Sequence, residues 1–399
     1  MTLVICILLI LGVLALGIQV LAQLSVFWLV GRKRSEPLHH HWGVSVLKPL
    51  KGADLELERN LRSIFEQDWP RMELVVGSDD PHDPALAVVE KVARDYPALR
   101  CRIVTSALSL GLNPKVNLCA QLARHATYDL VIVSDASVAA PKHYVRSMVQ
   151  AFGAPNTGLV ASPLVGFGET STGGVVDNLI LNLFVLRAIC FTKLFARHSC
   201  VIGKSMMFRL SDLRRLGGWP VVADVLAEDY VLGRLFRRAG FDVRLCPEVL
   251  PTRTHCAALG DGLNRHVRWC QMRRRTSSVA YLAELVANVS VWALALVVVA
   301  LLAARTDFAI AGALLLGAKV VLDLVSISWL GPRQLSGQRV CWVLVADLLN
   351  FWVWVLGAVR RTVDWRGTRL LIGAQTRLTP LDAGQTSAAR EAYYSAANF

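Results

Sequence analysis

Charged residues are scarce in this 399-residue chain: they make up 18% of it, while 54% is hydrophobic. A soluble domain usually carries about 25% charged residues, so an ordinary soluble enzyme is disfavoured. A disordered chain is excluded, because such chains lack apolar residues. Acidic residues are scarcer than basic ones, 30 against 43, which gives a net charge of +13. That excess suits proteins that meet nucleic acid, an acidic membrane surface or a phosphorylated substrate.

Patterns typical of zinc and nucleic-acid sites are also missing. The nine cysteines form no CxxC pair and no His-rich spacing accompanies them, so a zinc site is disfavoured and free thiols are expected. No aromatic-rich motif of the kind that binds nucleic acid occurs. We therefore expect no nucleic-acid partner and attribute the basic excess to membrane lipids or an anionic substrate.

Long charge-free stretches account for much of the apolar excess. Residues 2–30 contain no charge and are long enough to cross a bilayer as a helix. The alternative is a cleaved signal peptide, whose basic residues would precede the apolar run, whereas Arg32, Lys33 and Arg34 follow it. Residues 1–31 are therefore predicted to form a transmembrane helix, with the next domain in the cytoplasm.

A second apolar block, residues 281–360, is predicted to form transmembrane or re-entrant helices. Within it, Lys319 and Asp323 are four residues apart, so they are predicted to pair on a helix. Three full spans would place the C-terminus outside, whereas the arginines that follow the block favour the inside. One segment is therefore expected to be re-entrant or interfacial. Residues 361–399 are predicted to be a cytoplasmic-side segment that ends in a mobile tail.

Between these blocks, residues 43–280 alternate strand-like and helix-like stretches. Such alternation predicts an α/β domain with a mostly parallel sheet and crossover helices. Ligands of these sheets bind beyond the carboxyl ends of the strands. Asp79, Asp80 and Asp135 follow two of the predicted strands. They are either turn formers or ligands of a nucleotide, a ribose hydroxyl or a divalent metal that carries a diphosphate.

Three further segments have two interpretations each. The acidic residues of Glu228-Asp229-Tyr230 either complement a helix dipole or perform chemistry. The motif Arg265-His-Val-Arg268-Trp269 lies either on a solvated basic helix face near the membrane or at an anion. Residues 177–198 are apolar with interspersed basic residues. They form either an interfacial helix that admits a lipid or a buried core helix.

In their order, these motifs resemble the D, D, D, (Q/R)xxRW pattern of membrane-bound, family-2-like glycosyltransferases. Finer matches resemble ceramide glucosyltransferases, and they lie at residues 44–52, 80–85, 111–117 and 365–369. The resemblance implies a GT-A domain, the nucleotide-diphospho-sugar transferase fold, at residues 43–280, with transmembrane helices on both sides. Arg265 stands where many members of that group have Gln.

The resemblance implies roles for the residues around the reacting groups. Asp229 would be the general base, ionised if its pKa is the ordinary value of about 3.9, and Glu228 would help to position it. Arg265 and Arg268 would meet the charge of the diphosphate. Trp269 would form the floor of the acceptor site.

On the donor side, Asp80 would bind the uridine part, with Lys48 and Pro49 near the base. Asp135 would face a divalent metal, Mg²⁺ or Mn²⁺, that neutralises the diphosphate. Lys115 either reaches the nucleotide or is a lysine of the helix surface.

The function implied is inverting transfer of a hexose, glucose first, from a UDP-sugar to the primary hydroxyl of ceramide or a related sphingolipid. The reaction would take place at the cytoplasmic face of a membrane that the chain crosses several times. A hopanoid or another lipid as the acceptor, or a polysaccharide synthase, is the enzymatic alternative. A basic membrane anchor is the non-enzymatic one.

Overall fold

A computed structural model describes residues 1–30, 41–54, 56–105, 108–196, 200–253, 258–330, 337–365 and 368–381. The basic cluster Arg32–Arg34 and the predicted mobile tail from Asp382 lie outside the described residues, as do Arg366 and Gly367 of the last family-like segment.

The described part contains twelve strands and fourteen α-helices. The strands are β1 Val44–Pro49, β2 Met72–Ser78, β3 Arg100–Thr105, β4 Leu130–Ser134, β5 Thr157–Ala161, β6 Leu164–Gly166, β7 Ser205–Arg209, β8 Asp242–Leu245, β9 Leu250–Thr252, β10 Thr362–Trp365, β11 Thr368–Ile372 and β12 Leu378–Pro380. The helices are α1 Thr2–Val30, α2 Leu57–Phe65, α3 Pro84–Asp95, α4 Pro114–Arg124, α5 Tyr144–Phe152, α6 Thr172–Ile180, α7 Leu186–Phe195, α8 Leu210–Arg215, α9 Glu228–Arg238, α10 Leu259–Thr276, α11 Ser278–Val286, α12 Val289–Leu302, α13 Thr306–Trp329 and α14 Gly337–Val359.

A central sheet of seven strands has the order β3-β2-β1-β4-β7-β5-β8. The first four of these strands are parallel to one another, and β7 is antiparallel to both of its neighbours. The predicted α/β class and mostly parallel sheet are confirmed, with β7 as the exception. Alternate residues of β1 and β2 belong to two apolar clusters, one with residues of α2, α3 and α5 and the other with residues of α4 and α9. Burial on both faces explains why these strands have continuous apolar runs.

The register of the sheet brings the ends of several strands together. Pro49 at the end of β1 is opposite Gly77 of β2, and β4 runs beside β1 in the same direction. Because β7 is antiparallel, its first residue, Ser205, is opposite the last residue of β4, Ser134. The residues that follow β4 and those that precede β7 therefore lie at the same edge of the sheet.

Four described helices are long and apolar enough to cross a membrane: Thr2–Val30, Thr172–Phe195, Thr306–Trp329 and Arg339–Val359. A bent pair, α11 and α12, passes the same test only when its two parts are joined, with a bend of 50° between them. The 14 residues of α12 would extend about 21 Å, less than the roughly 30 Å of a hydrocarbon core. This pair is thus the candidate for the re-entrant or interfacial segment.

The helical segment Thr172–Phe195 consists of α6, a π-helical turn at Leu181–Val185, and α7. Within its apolar window, 78% of the residues are buried inside the protein. Its apolar side chains pack against Ile327 of α13 and Val343 of α14. These contacts favour the buried core helix over the interfacial helix for residues 177–195 of the predicted segment 177–198, whose last two residues lie outside the described ones.

Four buried charges connect the apolar helices. Arg187 of α7 lies 2.6 Å from Asp323 of α13, through its Nη1 and Oδ1 atoms. Lys319 forms ion pairs with Asp323, as predicted from their spacing, and with Asp347 of α14. Two cations and two anions therefore balance one another at a place where unpaired charges would be costly.

Candidate active site

The first turn of α4 is fixed at the edge of the sheet where β4 ends and β7 begins. Asn113 caps this helix by accepting a hydrogen bond from the backbone N–H of Val116, and Pro114 occupies its first turn. Asn113 also donates a hydrogen bond of 2.7 Å to the carbonyl of Val225. These contacts place the next residue, Lys115, among the carboxylates of neighbouring elements.

Lys115 is at the centre of this group. Its ammonium lies 2.9 Å from Asp135 Oδ1 and 3.1 Å from Glu228 Oε1, and it donates to the Gly203 carbonyl at 2.7 Å. Burial alone would lower the pKa of Lys115, but the charges of Asp135 and Glu228 raise it well above its usual value. With a side chain only 17% exposed, Lys115 is not the helix-surface lysine of the second interpretation.

Gly203 lets the chain pass closely between these groups. Its N–H donates to the carboxylate of Asp229, and its carbonyl accepts from Lys115. A Cβ atom at this position would lie 3.0 Å from both the Asp229 Oδ2 and the Lys115 Nζ atoms. A side chain here would displace one of these groups by a few tenths of an ångström, so glycine suits this close approach.

Asp229, the predicted base, lies in the first turn of α9 beside Glu228. Burial and the negative charge of Glu228 raise the pKa of Asp229 to about 7, against the opposing effects of Lys115 and two backbone N–H donors. The expectation of an ordinary ionised carboxylate is therefore wrong. A pKa near neutrality suits a group that accepts and releases a proton.

Lys48 and Pro49 end strand β1 behind this cluster. The ammonium of Lys48 is fully buried and donates a hydrogen bond of 2.8 Å to the backbone carbonyl of Asp135. Burial lowers the pKa of Lys48 to about 7, with partial compensation by the charge of Asp135. Lys48 thus supports the segment that carries Asp135, and its contact with a nucleotide base stays a prediction.

Asp80 lies on the exposed side of the same edge. Its Oδ1 accepts a hydrogen bond of 2.8 Å from the backbone N–H of His82, two residues later, in the geometry of an Asx turn. Asp83, in contrast, is buried: it caps α3 and accepts hydrogen bonds from Ser78 and the Gly52 N–H. The turn-forming role of Asp80 is therefore present, and its role in uridine binding stays a prediction.

Helix α10 carries the predicted RxxRW motif. The guanidinium of Arg265 forms an ion pair with Asp177 of α6, with 2.5 Å between Nη2 and Oδ1, and it lies over the ring of Trp269. Asp177 has no exposed surface, and its Oδ1 is also 2.9 Å from His266 Nε2. Arg268 and Trp269 are partly buried on the same helix, and Trp269 packs against the core of the α/β domain.

A cleft of about 310 Å³ opens between the segment after β1 and helix α10. Its lining combines three basic residues with acidic and neutral polar ones. They are Lys204, Arg253 and Arg265, and Asp54, Glu56, Asn60 and Ser137. The backbone carbonyl of Lys204 accepts a hydrogen bond of 3.0 Å from the N–H of Asp135. The cleft and the cluster around Lys115 therefore share one edge of the sheet.

The donor groups of this edge fit a metal that is shared with a substrate. In the described ranges, no group of three or more His, Cys, Asp or Glu side chains is placed to hold a metal ion. Asp135 offers one carboxylate that is 28% exposed. Mg²⁺ is commonly bound by one or two carboxylates together with substrate phosphates. Asp135 fits this arrangement, in which a diphosphate completes the set.

Three residues of this site were not predicted from the sequence. The helix that begins near Lys115 was predicted, but its N-cap was not, although Asn113 before a proline has the signature of one. Asp177 and Lys204 have no comparable signal, because their roles depend on contacts with α10, with the segment after β4 and with the end of β9.

The sequence model of glycosyl transferase family 21 matches residues 7–378. The chain therefore belongs to glycosyl transferase family 21. Membership confirms the predicted resemblance to membrane glycosyltransferases of the ceramide glucosyltransferase type. The match extends over the apolar helices at both ends as well as the α/β domain between them.

Curated relatives of this family 21 chain carry the name ceramide glucosyltransferase. Ceramide glucosyltransferase 3 of Caenorhabditis elegans is 25% identical over 241 residues, which cover 58% of this chain and 50% of that protein. The ceramide glucosyltransferase of Candida albicans is 34% identical over 119 residues, 27% of this chain and 22% of that protein. The chain spans about half the length of the nematode relatives.

Among solved structures, the chain is similar to the mannosyltransferase PcManGT of Pyrobaculum calidifontis, which was determined in complex with GDP-Man and Mn²⁺. The TM-score is 0.48 and the sequence identity 18%, and the match covers 88% of this chain and 99% of that one.

Proposed function

We propose that this family 21 chain is an inverting glycosyltransferase that transfers glucose from UDP-glucose to the primary hydroxyl of ceramide or a related sphingolipid. The observation that carries the proposal is the position of Asp229. Its carboxylate, with a pKa near 7, stands beside the Lys115 cluster at the edge of the sheet where the cleft opens. The names of the curated relatives support glucose and ceramide as substrates.

The proposed reaction couples removal of the acceptor proton to attack on the sugar. Asp229 takes the proton of the acceptor hydroxyl while the hydroxyl oxygen attacks the anomeric carbon from the face opposite the leaving diphosphate. A single attack of this kind inverts the anomeric centre. Lys115 holds Glu228 and Asp135 at fixed positions beside the base, and the N–H of Gly203 orients the Asp229 carboxylate. Fixed groups of this kind reduce the entropic cost of bringing the reactants together.

The donor occupies the cleft in this proposal. Asp80 would bind the uridine part, with Pro49 near the base, while the buried Lys48 would act through its hydrogen bond to the Asp135 carbonyl. Arg265 and Arg268 of α10 lie toward the diphosphate. Asp135 would hold Mg²⁺ or Mn²⁺, which supplies charge neutralisation at the diphosphate when it is bound.

A lipid acceptor is supported by the position of the cleft beside the apolar helices. Arg265, which lines the cleft, is bound to Asp177 of the candidate span Thr172–Phe195. Helix α10 also packs against α14, another candidate span. In this proposal Trp269, whose ring lies under the Arg265 guanidinium, would form the floor of the acceptor site. We place the α/β domain on the cytoplasmic side, where nucleotide sugars are available and the positive-inside rule puts the basic flanks.

The test is lipid mass spectrometry with purified protein in detergent and ceramide, offered UDP-glucose, UDP-galactose or UDP-glucuronate. The wild type should add a hexose mass to ceramide from UDP-glucose. Asp229→Asn should abolish the product while UDP still binds. Asp95→Asn, which removes an exposed carboxylate from α3, serves as the matched control and should retain activity.

Other outcomes would redirect or overturn the proposal. Transfer to a hopanoid but not to ceramide would favour the second lipid acceptor, and a growing glycan would indicate a polysaccharide synthase. If the wild type glycosylates no acceptor and Asp229→Asn changes nothing, the chain is a basic membrane anchor.

A further inference from the structure

The three cations that line the cleft differ in their partners. Arg253 Nη1 lies 2.9 Å from Glu56 Oε1, and Arg265 forms its ion pair with the buried carboxylate of Asp177. Lys204 instead donates a hydrogen bond of 2.9 Å to the hydroxyl of Thr252. Within the described ranges, no carboxylate oxygen lies within 4.0 Å of the Lys204 ammonium. Lys204 is therefore the cation of this lining that forms no ion pair with a described carboxylate.

Lys204 is fixed at the edge of the sheet by its main chain. Its carbonyl accepts from the N–H of Asp135 at 3.0 Å, and the next residue, Ser205, begins strand β7. The main chain of Lys204 is thus fixed by Asp135, and its ammonium is fixed by the hydroxyl of Thr252, the last residue of β9. A lysine restrained in this way loses little further freedom when it binds an anion.

The electrostatic environment also favours an anion. The guanidinium of Arg265 repels the Lys204 ammonium, and the carboxylates of Asp135 and Asp177 attract it without forming an ion pair with it. Lys204 is partly buried, and a partly buried cation whose partner is a neutral hydroxyl is less stable than one beside a negative charge. An anionic ligand in the cleft would supply that charge.

We infer that Lys204 is a binding residue for the diphosphate of the nucleotide-sugar donor. This inference rests on the proposed function and deepens it. In this arrangement Arg265 and Arg253, which are matched by carboxylates, shape the wall of the cleft. Lys204 supplies a positive charge for the leaving diphosphate. The family resemblance had implied that Arg265 and Arg268 supply this positive charge.

The test compares the binding of UDP with that of uridine, by calorimetry on the full chain in detergent with Mg²⁺ present. Lys204→Met removes the charge and keeps a long side chain, and Lys204→Arg keeps the charge. Lys142→Met, on the exposed segment before α5, is the control for the loss of one positive charge. Lys204→Met should weaken UDP binding by about 10- to 100-fold, the usual effect of losing a charged hydrogen bond, and change uridine binding less than twofold.

Retained uridine binding shows that the site of each variant is folded. Lys204→Arg should bind UDP more tightly than Lys204→Met, and Lys142→Met should match the wild type. If Lys204→Met binds UDP as tightly as the wild type, the inference is overturned. It is also overturned if the variant loses affinity for UDP-glucuronate alone, because Lys204 would then recognise a sugar carboxylate.

The inference and the proposed function can fail separately. A wild type that prefers UDP to uridine through Lys204 but glycosylates no lipid supports the diphosphate site and overturns the acceptor proposal. A wild type that binds UDP no better than uridine overturns both.

Discussion

The ammonium of Lys115 lies 2.9 Å from Asp135 Oδ1 and so joins the start of α4 to the end of β4. The same ammonium is 3.1 Å from Glu228 Oε1, and Glu228 is the neighbour of Asp229 in the chain. One cation therefore stands among three carboxylates. It offsets a repulsion that would otherwise favour their protonated forms.

Replacement of Lys115 by Met should change both stability and the pH profile. It leaves partly buried carboxylates without their cation, a change that typically costs about 3–5 kcal/mol. It also removes a charge that holds the pKa of Asp229 down, so the acidic limb of the pH–rate profile should shift to higher pH. Thermal unfolding in detergent and the pH dependence of kcat/KM measure the two effects. Lys142→Met should show neither, and a Lys115→Met profile identical to that of the wild type would refute this account of the cluster.

The activity of the wild type should depend on pH through Asp229. In the proposed function Asp229 is the general base, which works only when it is deprotonated, and its pKa is raised to about 7. We therefore expect kcat/KM to fall about tenfold per pH unit below that pKa and to level off above it. Initial rates from pH 5 to 9 test this. A rate that is already constant from pH 5 upward would show that the base has an ordinary carboxylate pKa.

Asp229→Asn should stabilise the fold, and the gain should depend on pH. The pKa of Asp229 is raised from the ordinary value to about 7 in the native state, so the native state binds more protons than the unfolded chain between about pH 4 and pH 7. Stability of the wild type therefore decreases through this range as pH rises. Asp229→Asn does not titrate, so its stability should not decrease in this way. The difference in free energy of unfolding between the variant and the wild type should be larger at pH 8 than at pH 5 by roughly 2–3 kcal/mol. Melting curves at several pH values measure it, and a pH-independent advantage would contradict the assignment.

Local patterns in the sequence were sufficient for the domain and for most of the cluster. The buried runs of β1, β2 and β4 are continuous because both faces of the sheet are covered, and this pattern identifies parallel strands without a structure. The places of Asp135 after a strand and of Asp229 at the start of a helix marked them as candidates, and only the family resemblance implied their roles. The structure brings them together through Lys115 and Gly203.

The contacts that local patterns did not show depend on long-range packing. The pairing of Asp177 with Arg265 joins residues 88 positions apart in sequence, on two helices whose mutual orientation no local signal specifies. The prediction of an ordinary pKa for Asp229 failed for the same reason. Burial and a neighbouring charge, which depend on tertiary contacts, change an ordinary carboxylate into a group that titrates near neutrality.

Asp177 should act as a positioning residue for Arg265. Asp177→Asn keeps the shape of the side chain but removes the negative charge that holds the guanidinium at the cleft. We expect kcat to fall by about 10- to 100-fold, the effect of a small displacement in an active site, while KM for the donor changes less than about threefold. Asp261→Asn, on an exposed position of the same helix α10, is the control. A purely structural role would instead lower the melting temperature and leave kcat per folded enzyme unchanged.

The buried ion pairs of the apolar helices should make the bundle sensitive to single charge removals. Lys319→Met leaves Asp347 and Asp323 with one cation, Arg187, between them. Breaking a buried pair typically costs about 3–5 kcal/mol, because the remaining charge stays buried without compensation. We expect a loss of this size in the free energy of unfolding, measured by denaturation in detergent micelles.

The double variant Lys319→Met with Asp347→Asn separates charge balance from packing. It removes one cation and one anion together, so the remaining Arg187–Asp323 pair is again neutral. It should be more stable than Lys319→Met alone even though it carries one more substitution. Arg305→Ala, which breaks an exposed ion pair with Asp307, should cost at most about 1 kcal/mol. If the double variant is less stable than the single one, shape and hydrogen bonding hold these helices together, and charge balance does not.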